Sequence, residues 1–352
     1  MPRSRAARLR ASRAATDAEV NVMQMAPAEL SPHLYATSAL EASAFTHDNV
    51  MAASVDERAC VIFMMRHGLI SRTMLCRHCD SEMSVNAPRW RSSRKGCRDY
   101  EVSGRAGSFF AKLKLPLTKC LRLLLFWCSD LPVGVAQQWL DISDATAIDW
   151  YIFCRDICPK EMLTCSMQDI EGPGHVIEID ETTLNKKKAK YGRGLQHRDN
   201  WLFGGVDRTT NLWFGILTGA DRKTKTLSPI LRKHVKAKTT IIGDAFASYV
   251  SVNGKHTLEN NRYLRGMQYT HRWVNHDKFF VDPVTGAHTN RIEGAWEVRI
   301  KGHLKRIRGV RMELLAGYLD EFLWKTCFFA GKVPVCTYLE GLVMAIRKHY
   351  KI

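Results

Sequence analysis

The sequence lacks any apolar run long enough to cross a membrane. A spanning helix needs ~20 consecutive apolar residues, and the longest candidate, Leu121 to Trp127, is interrupted by Arg122. Acidic residues are scarce: 35 Asp and Glu stand against 52 Lys and Arg, which gives 352 residues a net charge of +17. A soluble chain with this charge is expected to bind a polyanion. Nucleic acid is the favoured partner, and an anionic membrane surface is the alternative.

A secretory signal is also lacking, and no internal repeat is present. The eleven cysteines are therefore predicted to be reduced thiols of an intracellular protein, nuclear in a eukaryote and cytoplasmic otherwise. Residues 1–50 are rich in Ala, Ser and Arg, and five arginines precede the first acid, Asp17. This segment is predicted to be a disordered basic arm. A nuclear-import patch and an organellar transit peptide remain open as alternatives.

A cysteine cluster in residues 51–115 has the spacing of a zinc ribbon and consists of Cys76, Cys79 and Cys97. A structural zinc site needs four ligands, and Ser92 stands where the fourth thiol is expected. His67 or His78 could replace it. The segment is predicted to be zinc-ribbon-like, with a pair of buried thiols that bind no metal as the alternative.

Residues 116–168 are predicted to be helical and to bind DNA. A helix over Val133 to Leu140 is followed by the turn Asp141-Ile142-Ser143, and Ser143 can cap a further helix from Asp144 to about Cys158. Two helices joined by such a turn have the outline of a helix-turn-helix. Any helical hairpin shares that outline, and the second helix carries more acids than bases.

The pattern changes from helical to strand-like after Gly172-Pro173-Gly174. Strands are predicted at Val176–Ile179, Trp201–Val206, Leu212–Leu217 and Thr239–Gly243, and helices at Thr226–Val235, at Ala245–Val250 and from Asn290 onward. This order predicts an α/β domain over residues 174–330, with a mixed sheet of the ribonuclease H-like type. Residues 331–352 are predicted to form a helical tail.

Three acids are placed by this layout where a metal-dependent reaction on phosphodiesters needs them. Asp180 and Asp244 end two predicted strands, and Glu293 lies on the helix after Asn290. Hard oxygen ligands on separate rigid elements can share two Mg²⁺ or Mn²⁺ ions roughly 3.5–4 Å apart. Each acid also has a structural explanation. Asp244 could cap the next helix, Glu293 could pair with a cap at Asn290, and Asp180 could be a solvated turn residue.

Two basic segments flank these acids, and phosphate binding by them is weighed against a solvated surface. The first is a loop that contains Lys186, Lys187, Lys188, Lys190 and Arg193. The second is the end of the last helix, with Arg299, Lys301, Lys305 and Arg306. Both are predicted to contact DNA because they extend from the acidic residues.

Several motifs in matching order, from about residue 60 to 330, resemble Merlin-type DNA transposases and their bacterial insertion-sequence relatives. The most specific is the signature His-Thr-Asn-x-Ile-Glu-x-x-Trp at 288–296. It is accompanied by Tyr269 to His276, Ile179-Asp180-Glu181, Phe203 to Arg208 and Tyr318 to Trp324. The resemblance implies a DDE transposase in which Asp180, Asp244 and Glu293 bind metal. It also implies that His288 and Asn290 support the metal ligands or contact DNA.

The chain departs from the family at three places: Ser92 replaces a cysteine, Ala245-Phe246-Ala247 replaces a tripeptide with Gly and Trp, and Ser251–Asn261 is an insertion. The resemblance implies cut-and-paste transposition at terminal inverted repeats, with double-stranded DNA as partner and a homo-oligomer assembled on it. A domesticated or decayed transposase that binds DNA without cutting is the non-enzymatic alternative. A structure-selective nuclease would share the acids and perform no strand transfer.

Overall fold

The computed structural model describes residues 43–86, 89–97, 99–164, 172–184, 200–307, 309–329 and 333–350. Within these ranges, no helix is both long and apolar enough to span a membrane. The chain divides into two compact units. One comprises residues 1–160 and 328–352, and the other comprises residues 161–327.

The first unit is mainly helical and contains one small antiparallel sheet of order β1-β2-β3. Its helices are α1 (His47–Ala53), α2 (Glu57–Arg66), α3 (Leu117–Cys128), α4 (Val133–Leu140), α5 (Asp144–Arg155), α6 (Ile157–Thr164, which crosses the boundary) and α11 (Val335–His349). Its strands are β1 (Ser84–Asn86), β2 (Arg89–Arg91) and β3 (Glu101–Ser103).

The Leu-rich helix α3 forms the core of this unit. Arg122, which interrupts its apolar run, donates from Nε to the hydroxyl of Ser54 and from Nη2 to the Ser54 carbonyl, both at 2.8 Å. The guanidinium is therefore satisfied while its helix is buried. Ser54 is the C-cap residue of α1. The N-cap residue of α2 is Asp56, whose side chain accepts from the Ala59 N–H.

The helical hairpin of α4 and α5 has the predicted turn. Asp141 adopts a left-handed conformation with φ 47°, which ends α4, and the Ser143 side chain accepts from the Thr146 N–H and caps α5. A short polar residue tolerates positive φ better than a branched one. The hairpin is thus present at the expected residues, and its contact with DNA stays a prediction.

The second unit is built on a five-stranded mixed sheet of order β6-β5-β4-β7-β8. The elements are β4 (Val176–Thr183), β5 (Trp201–Asp207), β6 (Trp213–Gly219), α7 (Thr224–His234), β7 (Thr240–Asp244), β8 (Thr270–Val274), α8 (Asn290–Gly294), a π-helical turn (Ala295–Lys301), α9 (Gly302–Arg306) and α10 (Met312–Cys327). Strands β4, β5 and β6 are antiparallel neighbours, whereas β7 and β8 run parallel to β4. The predicted mixed α/β class is confirmed.

Alternation along the strands sends side chains to two different helical layers. Ile177 and Ile179 of β4 pack on the α7 side with Leu227 and Leu231. The other layer is the Glu293 helix, residues 290–306, which buries Ile292, Trp296, Ile300 and Leu304 against β5 and α10. Because residues two apart share a face, the even-numbered side chains of β4 point toward the Glu293 helix.

Two predicted elements are wrong in detail, and one strand was not predicted. Strand β4 continues to Thr183 because its pairing with β5 extends that far, so Asp180 lies inside the strand and not at its end. Residues 245–250 form a turn and not the predicted helix, and the Asp244 carboxylate accepts from the Phe246 N–H at 3.1 Å within that turn. The prediction also missed strand β8, which adds a second parallel neighbour at the sheet edge.

A buried histidine in β8 predicts a loss of stability in acid. His271 is 5% exposed, and burial lowers its pKa to about 4. Below pH 6.5 the unfolded chain binds a proton that the folded chain does not. Stability is therefore full above pH 6.5 and falls by up to about 3 kcal/mol as the pH drops to 4.

His271→Asn is expected to flatten the pH dependence of the unfolding free energy by that amount between pH 6.5 and 4, as measured by urea unfolding. Asn fits because its Oδ1 can replace Nδ1, which accepts from the Leu258 N–H at 3.4 Å. The exposed His256 supplies the matched control, His256→Asn. Parallel curves for His271→Asn and the unmutated chain would contradict the assignment.

Candidate active site

Two of the three predicted acids lie side by side in the sheet. Strands β4 and β7 are parallel, and Glu178 is in register with Ile242. Continuing that register by two residues along both strands brings Asp180 next to Asp244. The pairing of the two strands thus brings the two acids together.

Asp180 is oriented by the Glu293 helix. The indole Nε1 of Trp296 donates to Asp180 Oδ2 at 3.1 Å. The indole can reach this position because the residue paired with Asp180 in β5 is Gly204. A Cβ at Gly204 would lie 2.6 Å from the Trp296 ring and overlap the Phe214 carbonyl oxygen. Gly204 therefore leaves room for the tryptophan of the signature.

Glu293 is held by a chain of hydrogen bonds at the start of its helix. The Thr289 hydroxyl donates to Glu293 Oε1 at 2.7 Å, so its oxygen accepts from His276 Nε2 at 2.8 Å. Thr289, and not Asn290, is the N-cap residue. His276 Nε2 also lies 3.5 Å from Glu293 Oε1, and its charge lowers the pKa of Asp244 against the larger effect of burial. His276 therefore lies between the second and third acids.

A fully buried carboxylate, Glu178, connects β4 to the Glu293 helix. Its Oε2 accepts from the backbone N–H groups of Arg291 and Ile292 at 2.8 and 3.1 Å. Its Oε1 accepts from Arg208 Nε at 2.7 Å. The same guanidinium donates to the His288 carbonyl and to His288 Nδ1. Glu178 thus anchors the helix that carries Glu293, and sequence reasoning missed it.

A fourth acid, Glu181, lies on the opposite face of β4 and accepts a hydrogen bond from the Tyr249 hydroxyl. Burial, opposed by this hydrogen bond, raises the pKa of Glu181 to about 7. Burial also raises the pKa of Asp180 to about 8, with further contributions from Glu181 and Asp244. Burial is the main cause of the raised pKa of Asp244. Ionising these neighbouring carboxyls is costly without a cation.

The donor set fits divalent metal. Carboxylate oxygens are the ligands that Mg²⁺ and Mn²⁺ prefer, and a bound cation would offset the electrostatic cost of three ionised neighbours. Within the described part of the chain, the acids are spaced more widely than a compact metal-binding group. A pair of ions can be shared by a wider set of ligands than a single ion can.

The structure describes only some of the residues that are predicted to contact DNA. Lys186, Lys187, Lys188, Lys190 and Arg193 lie outside the described residues, as does the side chain of Arg299. Lys301 and Lys305 form ion pairs with Glu297 at 2.6 and 3.5 Å, and Arg306 lies 3.5 Å from His303 Nδ1. Asn290 is exposed beside Glu293, whereas His288 is half-buried on Arg208. The local ion pairs give Lys301 and Lys305 a structural explanation as well.

The three cysteines meet in the first unit. The Sγ atoms of Cys76, Cys79 and Cys97 all lie within 4.8 Å of one another, a spacing that a zinc ion with Zn–S bonds of about 2.3 Å can bridge. Neither candidate histidine joins them. His67 packs against Phe45 and Phe63, and His78 lies against Tyr100. The group therefore has three thiol ligands.

Zinc retention is expected to be substoichiometric, because a three-thiolate site holds its ion less tightly than a site with four ligands. Ser92 is buried, its hydroxyl has no hydrogen-bond partner among the described residues, and its N–H donates to the Tyr100 carbonyl near Cys97. Ser92→Cys should raise zinc toward one ion per chain and protect the first unit from proteolysis. The exposed neighbour provides the control Ser93→Cys. The zinc content is measured by elemental analysis after mild chelation. One zinc ion per chain in the unmutated protein would contradict this prediction.

Comparison with known proteins gives one family match. Residues 171–326 match the model of the ISXO2-like transposase domain. Among curated proteins, none matches this sequence. The matched span begins just before β4 and ends within α10, so it contains all three acids.

Solved structures with weak similarity include two retroviral proteins and one transposase. The HTLV-2 integrase catalytic core domain in complex with magnesium is 14% identical at a TM-score of 0.27, over 44% of this chain and 85% of that chain. The simian T-cell lymphotropic virus intasome in complex with a PP2A subunit is 12% identical at 0.27, over 46% and 52%. The pre-cleavage Mos1 transpososome is 9% identical at 0.25, over 62% and 72%.

The family match supports the transposase part of the resemblance, while the Merlin subtype and its signature stay predictions. The span from 171 to 326, which holds the mixed sheet and the three acids, is similar to the ISXO2-like transposase domain.

Proposed function

We propose that this protein is a DDE-type DNA transposase that cuts and joins DNA at the terminal inverted repeats of a mobile element. One observation carries the proposal. Asp180, Asp244 and Glu293 lie on adjoining elements of the very segment that matches a transposase domain. The partner is double-stranded DNA. Because an element has two ends, a homo-oligomer on DNA follows from the proposal.

Asp180, Asp244 and Glu293 would hold two Mg²⁺ or Mn²⁺ ions. When bound, such ions lower the pKa of an attacking water or 3′-hydroxyl and stabilise the charge on the leaving 3′-oxygen. The chain itself supplies orientation. Trp296 fixes Asp180, the Thr289 hydroxyl with His276 fixes Glu293, and the buried Glu178 sets the position of the Glu293 helix.

His276 lies at the start of the Glu293 helix, beside the third acid. It donates to Thr289 and lies close to Glu293. We assign it the role of keeping the Glu293 carboxylate oriented. No protein nucleophile is needed in this scheme, because phosphoryl transfer depends on positioning and electrostatic stabilisation.

The test uses the full chain, a labelled DNA fragment that carries the genomic flanks of its own gene, and a target plasmid. With Mg²⁺ the proposal predicts cleavage at the flank ends followed by joining of the labelled strand to the plasmid. A nuclease would cleave without joining. A decayed transposase would bind the fragment and cut nothing, in Mg²⁺ or in Mn²⁺. Either result would overturn the proposal.

A further inference from the structure

An open cavity of about 650 Å³ lies between the first turn of α7 and the loop that follows Asp244 at the end of β7. Its floor includes Tyr249, whose hydroxyl donates to Glu181, the neighbour of Asp180. Tyr249 is also close enough to Asp244 and Asp180 to feel their charges, so the cavity lies near the candidate active site. A volume of this size accommodates a nucleotide unit, since binding clefts typically enclose about 300–1,000 Å³.

The lining of the cavity is basic. It includes Lys223, Lys225, His256 and Arg262, and its described lining residues contain no acid. The nearby Asp221 accepts from the Lys223 N–H at 2.9 Å and from the Thr226 hydroxyl at 2.8 Å. These hydrogen bonds lower the pKa of Asp221, and the charges of Lys223 and Lys225 contribute less. Positive charge thus exceeds negative charge around the opening.

The insertion noted in the sequence, Ser251–Asn261, builds one wall of this cavity and is internally fixed. Asn260 accepts from the Thr257 N–H at 3.0 Å and donates to the Lys255 carbonyl at 2.7 Å. Asn261 donates to the Ser228 hydroxyl of α7 at 2.8 Å. The wall is therefore held in place before any ligand arrives, which lowers the entropic cost of binding.

We propose that this cavity binds the sugar-phosphate backbone of the DNA strand that leads away from the acidic residues. The inference rests on the proposed function. A phosphodiester backbone is the anion that a transposase substrate supplies next to its scissile bond, and phosphate contacts fix the register of DNA on a protein. The insertion is thereby assigned a role in positioning DNA.

The experiment compares two double variants of the full chain, Lys225→Ala with Arg262→Ala, and Lys233→Ala with Lys236→Ala. All four residues are exposed cations of the same unit, and only the first pair lines the cavity. Both variants lose the same net charge, so long-range attraction is matched. Binding of a fluorescein-labelled duplex is followed by anisotropy in EDTA across a salt series, and thermal melting checks the fold.

The cavity variant is expected to bind about tenfold or more weakly at low salt, with a log–log salt slope smaller by about two, as expected for two lost phosphate contacts. The control variant should keep a slope close to that of the unmutated chain. Equal slopes for the two variants would overturn the inference. So would displacement of the duplex by micromolar pyrophosphate at constant ionic strength, which would assign the cavity to a small anion.

Because no divalent metal is present, the binding result does not depend on cleavage. If the unmutated chain does not cleave DNA in Mg²⁺ while the salt slopes of the cavity and control variants still differ, the result would count against the proposed function alone. Absence of DNA binding by the unmutated chain would count against both. The charge reversals Lys225→Glu and Arg262→Glu should weaken binding further, and binding unchanged by reversal would reject the cavity as a DNA site.

Discussion

Asp180→Asn, Asp244→Asn and Glu293→Gln are each expected to lower the rate of Mg²⁺-dependent DNA cleavage by about 10³-fold or more, while DNA binding persists. Each substitution keeps the size of the side chain and removes the charge that attracts a divalent ion. Because the acids serve one pair of ions, the loss of any one should disable the whole site. Single-turnover cleavage of end-labelled flank DNA measures the effect.

The matched control is Asp277→Asn, an exposed acid next to His276 that takes no part in the proposed site. It should cleave at the unmutated rate. The Asp180→Asn and Asp244→Asn variants should melt no lower than the unmutated chain, since burying a charged carboxylate is unfavourable and an amide removes that cost. The Glu293 side chain is 44% exposed, and Glu293→Gln should melt close to the unmutated chain. Cleavage above a tenth of the unmutated rate by a well-folded variant would remove that residue from the site.

Loss of the Glu178 carboxylate is expected to produce the largest change in stability. Glu178→Ala should lower the unfolding free energy by about 3–5 kcal/mol, because it leaves the Arg208 guanidinium without its buried partner and two helix N–H groups without an acceptor. In a unit of this size the melting temperature should fall by roughly 10 °C. Glu178→Gln, which keeps an acceptor oxygen, should lose less.

A double-mutant cycle with Arg208→Gln separates the ion pair from the anchoring of the helix. Glu178→Gln combined with Arg208→Gln should cost less than the sum of the single changes, by about 1–3 kcal/mol, since neither charge is then left alone. In cleavage assays, Glu178→Gln should change kcat more than KM. The substitution displaces the helix that carries Glu293 and leaves the binding of DNA in place. Strict additivity in the cycle would contradict the buried contact.

The order of the three acids could be predicted because each follows from local pattern. Apolar runs ending in Asp180 and Asp244 indicate strands, and the spacing of apolar residues after Asn290 indicates a helix. Because β4 and β7 are parallel neighbours, their carboxyl ends lie at the same edge of the sheet. The mixed sheet followed from the same patterns, and the structure bears out that class.

What could not be predicted depends on partners distant in the sequence. The extension of β4 past Asp180 is caused by pairing with β5, and β8 exists because β7 offers it an edge. Neither the extension of β4 nor the presence of β8 can be predicted from the local sequence.

One feature of the sequence could have identified Glu178 as a functional residue. It is an acid between Ile177 and Ile179 in a buried strand, on the same face as Asp180 by the two-residue period. A buried acid at such a position requires a partner. Arg208 and the start of the Glu293 helix, respectively 30 and 113 positions away, could be identified only from the fold. The roles of His276 and Thr289 likewise follow from contacts.

The most direct test of metal binding at the acids is a Mn²⁺ titration of the full chain followed by electron paramagnetic resonance. Free Mn²⁺ gives a signal that weakens when the ion binds, and thiols compete poorly for this hard cation. We expect the unmutated chain to take up Mn²⁺ and the Asp180→Asn variant to lose that uptake, with Asp277→Asn unchanged. Equal uptake by the unmutated chain and by Asp180→Asn would contradict a metal site at these acids.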